Sequence, residues 1–265
     1  MLPKILSLAQ ELDFPKEMQD TIAATWPSIN IEEIQPHIIN LTSPETAPKA
    51  HEALAEIFAG NDDMGYKSLI SQLLAALQTR QIFADKNIAD DIFIDTVKCL
   101  SRFSGEHLVS FGHYGFNRGW WSYRYLCGTN FRLGALEFEI AGKALSVHIP
   151  SDAVMTAENL GASYAQAAEL FPCMGFEYEQ IYCNTWLLYP TLQQILPPTS
   201  RILTFQKDYE ITKLHPESKN YQRWVYKNEY TDLTELPEST SLQRNLKKWL
   251  LAGGEIGDAH GIYKH

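Results

Sequence analysis

The sequence predicts an α+β protein, with an all-helical N-terminal domain over residues 1–105 followed by a mixed α/β domain over 106–265. Three observations carry that prediction. Capping residues and apolar stripes at spacings of three and four recur through the first hundred residues. From Phe111 onward the texture changes: 24 of the 31 aromatic residues lie in the last 155 positions, and β-branched alternation replaces the stripe, which puts the boundary near Phe103–Gly112. A chain of 265 residues is also long enough for two moderate cores.

The helical elements follow in order. Asp13 is placed to cap a helix with Pro15 in its first turn, and Met18, Ile22 and Thr25-Trp26 then share a face. Ser43-Pro44-Glu45 sets a cap before a first-turn proline, with Ala50, Leu54, Ile57 and Phe58 as the stripe behind it. Leu69, Leu73, Leu74 and Leu77 mark a third helix; Ile88, Ile92, Val97 and Leu100 help mark a fourth.

In the second part a strand is expected at Phe131–Ile140, another at Leu145–Ile149, and a helix at about Thr156–Phe171 with Leu160, Tyr164, Ala167, Ala168 and Phe171 on one face. A strand over Gln180–Trp186 and a short helix at Thr191–Leu196, ended by Pro197-Pro198, come next. Strands are then expected at Arg201–Ile211 and Tyr221–Tyr226. A last helix runs from about Ser239, where Ser239-x-x-Leu242 lacks the capping-box acid, to Leu251, and Gly253-Gly254 stops it.

Composition excludes several classes. The net charge of −10 argues against non-specific nucleic-acid binding. Residues 1–105 hold 15 acids against 8 bases, whereas 106–265 hold 17 against 14, so the C-terminal part is the better host for an anionic cofactor. Lys4, Glu11 and Asp13 interrupt what would be the apolar core of a signal peptide. No run reaches the roughly 18 apolar residues of a membrane span, and the expectation is a cytoplasmic protein with no membrane partner. Cys99, Cys127, Cys173 and Cys183 show neither CxxC spacing nor an adjacent histidine, so they read as thiols rather than as metal ligands.

The stretch LEFEIAGKALSVHIP, residues 136–150, reads as a hairpin around Gly142-Lys143. That register pairs Ile140 with Leu145 and Phe138 with Val147 on an apolar face. The other face then carries Glu139 opposite Ser146 and Glu137 opposite His148. A carboxylate facing an imidazole is suited to general-base chemistry, because the carboxylate fixes the tautomer and raises the basicity of the outer nitrogen. The same pair is also compatible with a solvated sheet face; Glu139 reads as the more solvated of the two acids. His148 ends its strand just before Pro150 and a loop leading to a helix, the position at which α/β proteins build sites. At that helix start Thr156 is a candidate N-cap, and the amides after it are able to face an anion. Cys183 sits among apolar and aromatic neighbours in a strand, which favours packing over nucleophilic catalysis. His113 and His260, in glycine-flanked segments, are candidates for mobile site residues. The chain contains no GxSxG, HExxH or P-loop pattern.

Four segments, FRLGALEFE, LSVHIPSDAVMTAENLGASYAQAAELF, CNTWLLYPTLQQILPPTSRILTFQKDYEI and the closing SLQRNLKKWLLAGGEIGDAHGIY, resemble the bacterial acyltransferase family with a helical N-terminal domain and a GNAT-like C-terminal domain. The resemblance covers roughly residues 105–265. It implies transfer of an acyl group from acyl-CoA or acetyl-CoA to a small-molecule amine or similar acceptor by direct attack, with no metal. It also implies that the thioester lies between the strands at Leu145–Ile149 and Gln180–Trp186, beside Cys183, with phosphates near Met155, Thr156 and Ala157. Glu137 and His148 are then the candidates to take the amine's proton, and Tyr189 the candidate to protonate the thiolate. The sequence departs from the wider superfamily at Ser151–Thr156, which has no glycine and includes Asp152. The alternative function is a non-catalytic ligand- or protein-binding module on the same scaffold.

Overall fold

The computed structural model describes residues 1–264, which form two compact units that divide between Leu133 and Gly134. The first runs α1 (Leu2–Glu11), α2 (Lys16–Thr25), α3 (Ile31–Asn40), α4 (Ala47–Phe58), α5 (Tyr66–Asp85), α6 (Asp90–Val97), α7 (Cys99–Phe111), α8 (Gly119–Leu126) and a short strand, β1 (Asn130–Leu133). Helix α5 is its axis. Eleven of its 20 residues are buried, on all sides, because α1, α2, α3, α4, α6 and α8 pack around it.

Two of the expected caps lie elsewhere. Asp13 sits in a left-handed turn at φ 59° and pairs with Lys98 at 2.8 Å, leaving Pro15 as the N-cap of α2. Helix α4 begins at Ala47 behind Thr46, and the Ser43 hydroxyl instead bonds Glu45. The first unit is also not wholly helical, since it ends in β1, and it extends past residue 105 because α8 packs against α4 and α5.

The second unit runs β2 (Leu136–Ala141), β3 (Ala144–His148), α9 (Ala157–Cys173), β4 (Gln180–Thr185), α10 (Leu192–Ile195), α11 (Arg201–Lys207), β5 (Tyr209–His215), a π-helical turn at Gln222–Tyr226, α12 (Ser241–Leu251) and β6 (Asp258–Tyr263). Its strands lie in the order β2-β3-β4-β6-β5, antiparallel except for the parallel pair β3–β4. Helix α9 buries Leu160, Ala167 and Phe171; its Tyr164 meets Phe138 edge-on at 5.8 Å, stacks on Tyr263 and bonds the Tyr209 hydroxyl at 2.7 Å.

Four expectations are corrected here. The strand expected at Phe131–Ile140 is two strands, broken where Gly134 takes φ 60° and the Ala135 amide donates to Ser163 Oγ. Arg201–Ile211 divides into α11 and the start of β5: a seven-residue helix has little intrinsic stability and forms because Phe205 is fully buried. Tyr221–Tyr226 is a helical turn whose buried residues, Tyr221, Gln222, Val225 and Tyr226, follow a helical rather than an alternating pattern. Finally, α12 is capped by Thr240 rather than Ser239, with Gln243 completing a capping box. Thr240→Ala is expected to cost about 1 kcal/mol in urea unfolding.

Candidate active site

The hairpin has the expected register. Glu137 lies across from His148, Phe138 from Val147, Glu139 from Ser146 and Ile140 from Leu145, with Gly142 turning at φ 63°. The contact on the polar face is nevertheless diagonal: His148 Nε2 bonds Glu139 Oε2 at 2.8 Å. Side chains on a strand lean along its direction, and a diagonal neighbour is within reach of an imidazole and a glutamate. Glu139 is therefore the orienting carboxylate, not a solvated residue. Glu137 stays on the same face and is buried, at 3% exposure. An ionised Glu139 takes the Nε2 proton as an acceptor, which leaves the lone pair on His148 Nδ1.

Next to the dyad the β3–β4 ladder ends. The parallel pair runs in register from Ala144–Gln180 to Ser146–Tyr182, while β3 continues to His148 and β4 to Thr185. Over the same residues β4 keeps its ladder with β6, from Tyr182–Ile262 to Thr185–Ala259. Cys183 Sγ donates to the Val147 carbonyl at 3.2 Å across the opening. Full burial pushes this thiol far above its ordinary pKa, so it remains protonated and is no nucleophile.

Residues on the far side of the opening share the dyad's face. Ser146 pairs with Tyr182, and Asn184 pairs with His260, so Ser146, His148, Tyr182, Asn184 and His260 all project to one side of the sheet. His260 is not in a mobile segment: it lies in β6, stacks on Tyr182 at 5.1 Å and bonds Thr212 Oγ1 through Nδ1 at 2.8 Å. Burial lowers its pKa and favours the neutral ring. Asn184 has no sequence signal beyond its place two residues after Tyr182, and no alternation in the sequence marks β6.

At the start of α9 Thr156 caps as expected, its Oγ1 accepting the Asn159 amide at 3.2 Å. Among the described residues the Ala157 and Glu158 amides have no acceptor in the chain. Met155 precedes the cap, and Glu158 adds a carboxylate to the first turn. Tyr189 lies four residues beyond the end of β4; it donates to Glu255 Oε1 at 2.6 Å, and burial together with that carboxylate pushes its pKa up to about 12. Among the described residues, no group of three or more His, Cys, Asp and Glu side chains is arranged to hold a metal ion. No helix among them is long and apolar enough to cross a membrane.

A family described as the GNAT-like C-terminal domain matches residues 108–263, and one described as the N-acyltransferase N-terminal domain matches residues 3–128. The chain is similar to the crystal structure of an acyltransferase in complex with decanoyl-CoA and teicoplanin, at 20% identity and a TM-score of 0.80, covering 97% of this chain and 86% of that one. It is similar to an acyltransferase in complex with CoA and 10C-teicoplanin at 21% identity and a TM-score of 0.78, over the same shares of each chain. Identities this low show the fold alone. No curated protein sequence matches the chain.

Proposed function

The chain belongs to the family of the GNAT-like C-terminal domain, and from that premise we propose that it transfers an acyl group from acyl-CoA to an amine by direct attack. The observation that carries the reading is the parting of β3 from β4 after Ser146–Tyr182, with the His148–Glu139 dyad on one edge of the opening. Unpaired strand edges offer backbone groups to an extended amide chain, which is the chemistry of a pantetheine arm. Cys183 lines this opening and holds the Val147 carbonyl. Phosphates would sit beside Met155, Thr156 and Ala157, on the Ala157 and Glu158 amides of the first turn of α9; the Thr156 amide itself donates to the Val154 carbonyl at 2.9 Å. Asp152 and Glu158 work against that anion, so the arm rather than the phosphates supplies most of the recognition.

His148 Nδ1 would accept the amine's proton, and Glu139 would stabilise the imidazolium that forms. Glu137, buried across the register pair from His148, is the second candidate carboxylate on the same face. Tyr189, with a pKa of about 12, stays protonated at neutral pH and is suited to return a proton to the leaving thiolate. The acyltransferases of the same fold were crystallised with teicoplanin, which supports a bulky small-molecule acceptor. The His148–Glu139 bond at the place where the β3–β4 ladder ends favours this reading over the non-catalytic module.

Thermal unfolding with decanoyl-CoA tests the reading. Ligand at a hundred times its Kd stabilises by about 2.7 kcal/mol and is expected to raise Tm by several degrees. No shift with decanoyl-CoA, acetyl-CoA or free CoA would overturn it.

A further inference from the structure

The second unit contains a cavity of about 520 Å³ between the α10–α11 connection, α11 and β5. This lies within the roughly 300–1,000 Å³ range of small-molecule sites. It is not the opening beside His148. Ile211 pairs with Gly261, Gly261 with Cys183, and Cys183 follows Ile181, the partner of Leu145, so the cavity wall belongs to the face that carries Leu145. His148 belongs to the opposite face. Tyr209, also in the wall, bonds Tyr164 of α9, which packs on that same side.

The lining has two parts. Leu188, Leu196, Pro198, Leu203 and Ile211 make it apolar. Its amides are already satisfied by protein: Gln206 Nε2 donates to the Leu187 and Tyr189 carbonyls, and Gln193 Nε2 donates to Gln206 Oε1. At the rim stand Lys207 and Lys264. Lys264 Nζ donates to the Lys207 carbonyl at 3.2 Å, while the Lys207 ammonium has no hydrogen-bond or ion-pair partner among the described residues. Asp208, the adjacent acid, is not in the lining, and burial raises its pKa. A half-open pocket with apolar side chains inside and the exposed Lys207 ammonium beside them, unpaired among the described residues, is locally matched to a single anionic head on an alkyl tail, against the overall charge of −10. The several charges of a CoA diphosphate would be poorly matched by two lysines.

We infer that this cavity is a second ligand site, which takes a free medium-chain carboxylic acid with its tail against Leu203 and Ile211 and its carboxylate on Lys207. The inference goes beyond the acyl-transfer reading and does not depend on it.

Calorimetry with sodium decanoate tests it. The wild-type chain is expected to bind decanoate, to bind octanoate about tenfold more weakly because two buried methylenes are lost, and not to bind decyltrimethylammonium. Lys207→Glu is expected to weaken decanoate at least about tenfold, and Leu203→Trp to abolish binding by filling the cavity. Both variants should keep the wild-type circular-dichroism spectrum and cooperative thermal unfolding, which shows that they are folded. Absence of decanoate binding to the wild-type chain, equal binding of the cation, or binding unchanged in both variants would overturn the inference. So would loss of decanoate binding at saturating decanoyl-CoA, since that would place the acid in the thioester opening.

Discussion

Replacing His148 with alanine is expected to lower the acyl-transfer kcat by about 10²–10⁴-fold, the range for loss of a positioned general base, while leaving the thermal shift by decanoyl-CoA unchanged. The split between rate and binding is what distinguishes a base from a structural residue. His148 is half-buried at a strand end and bonds Glu139 at 2.8 Å. On the proposed mechanism its removal takes away the acceptor for the amine's proton without changing the β3–β4 pairing. Glu139→Gln tests the same dyad from its other member: an amide in that place is able to donate to Nε2, which moves the ring proton to Nδ1 and removes the lone pair the amine needs. A loss of at least about tenfold in kcat is expected, again without loss of decanoyl-CoA binding. Glu137→Gln, which leaves the hydrogen bond intact, is expected to cost less than Glu139→Gln. Transfer within threefold of wild type in His148→Ala would remove the dyad from the chemistry.

Gly65→Ala is expected to be the most damaging single-methyl change in the first unit, at more than about 3 kcal/mol in urea unfolding. Gly65 holds φ 74° at the start of α5, and a Cβ there would lie 1.7 Å from the Phe116 carbonyl oxygen and 2.7 Å from its carbon. The chain cannot yield easily at this point. Phe116 is buried and its amide donates to the Met64 carbonyl at 2.8 Å, while Asp62 caps the helix through the Lys67 and Ser68 amides at 2.9 Å each. Gly60→Ala is the control: φ there is 72°, but the added methyl meets open space. The loss at Gly60 should stay near 1 kcal/mol, the cost of the left-handed conformation alone. Equal losses at the two positions would contradict the close approach at Phe116.

How much of the site was legible depended on the range of the interactions involved. The β2–β3 register followed from strict alternation around Gly142-Lys143, because a one-residue slip would have turned Phe138 and Val147 out of the core. The same alternation could not choose between two glutamates on one face, since a register gives Cα partners and the side-chain lean then decides the bond. That decision made Glu139 the partner of His148. The helix start at Thr156 was legible because a cap is a local hydrogen bond. Strand β6 was not, because a six-residue segment containing Gly261 has weak strand character. It is a strand because β4 and β5 supply partners on both edges, and its glycine is required where a Cβ would meet Leu188 and Tyr209.

The sequence by itself determined the helical first part, the hairpin, the βαβ unit around α9 and the placing of a histidine at a strand end, because capping, periodicity and turn chemistry act within a few residues. Only the tertiary structure decided that α11 is a helix, that β6 lies between β4 and β5, that β3 leaves β4 after Ser146 and that Glu139 holds His148. Those outcomes depend on which distant backbone groups and side chains find partners, and pairing between residues far apart in the chain leaves no period to read.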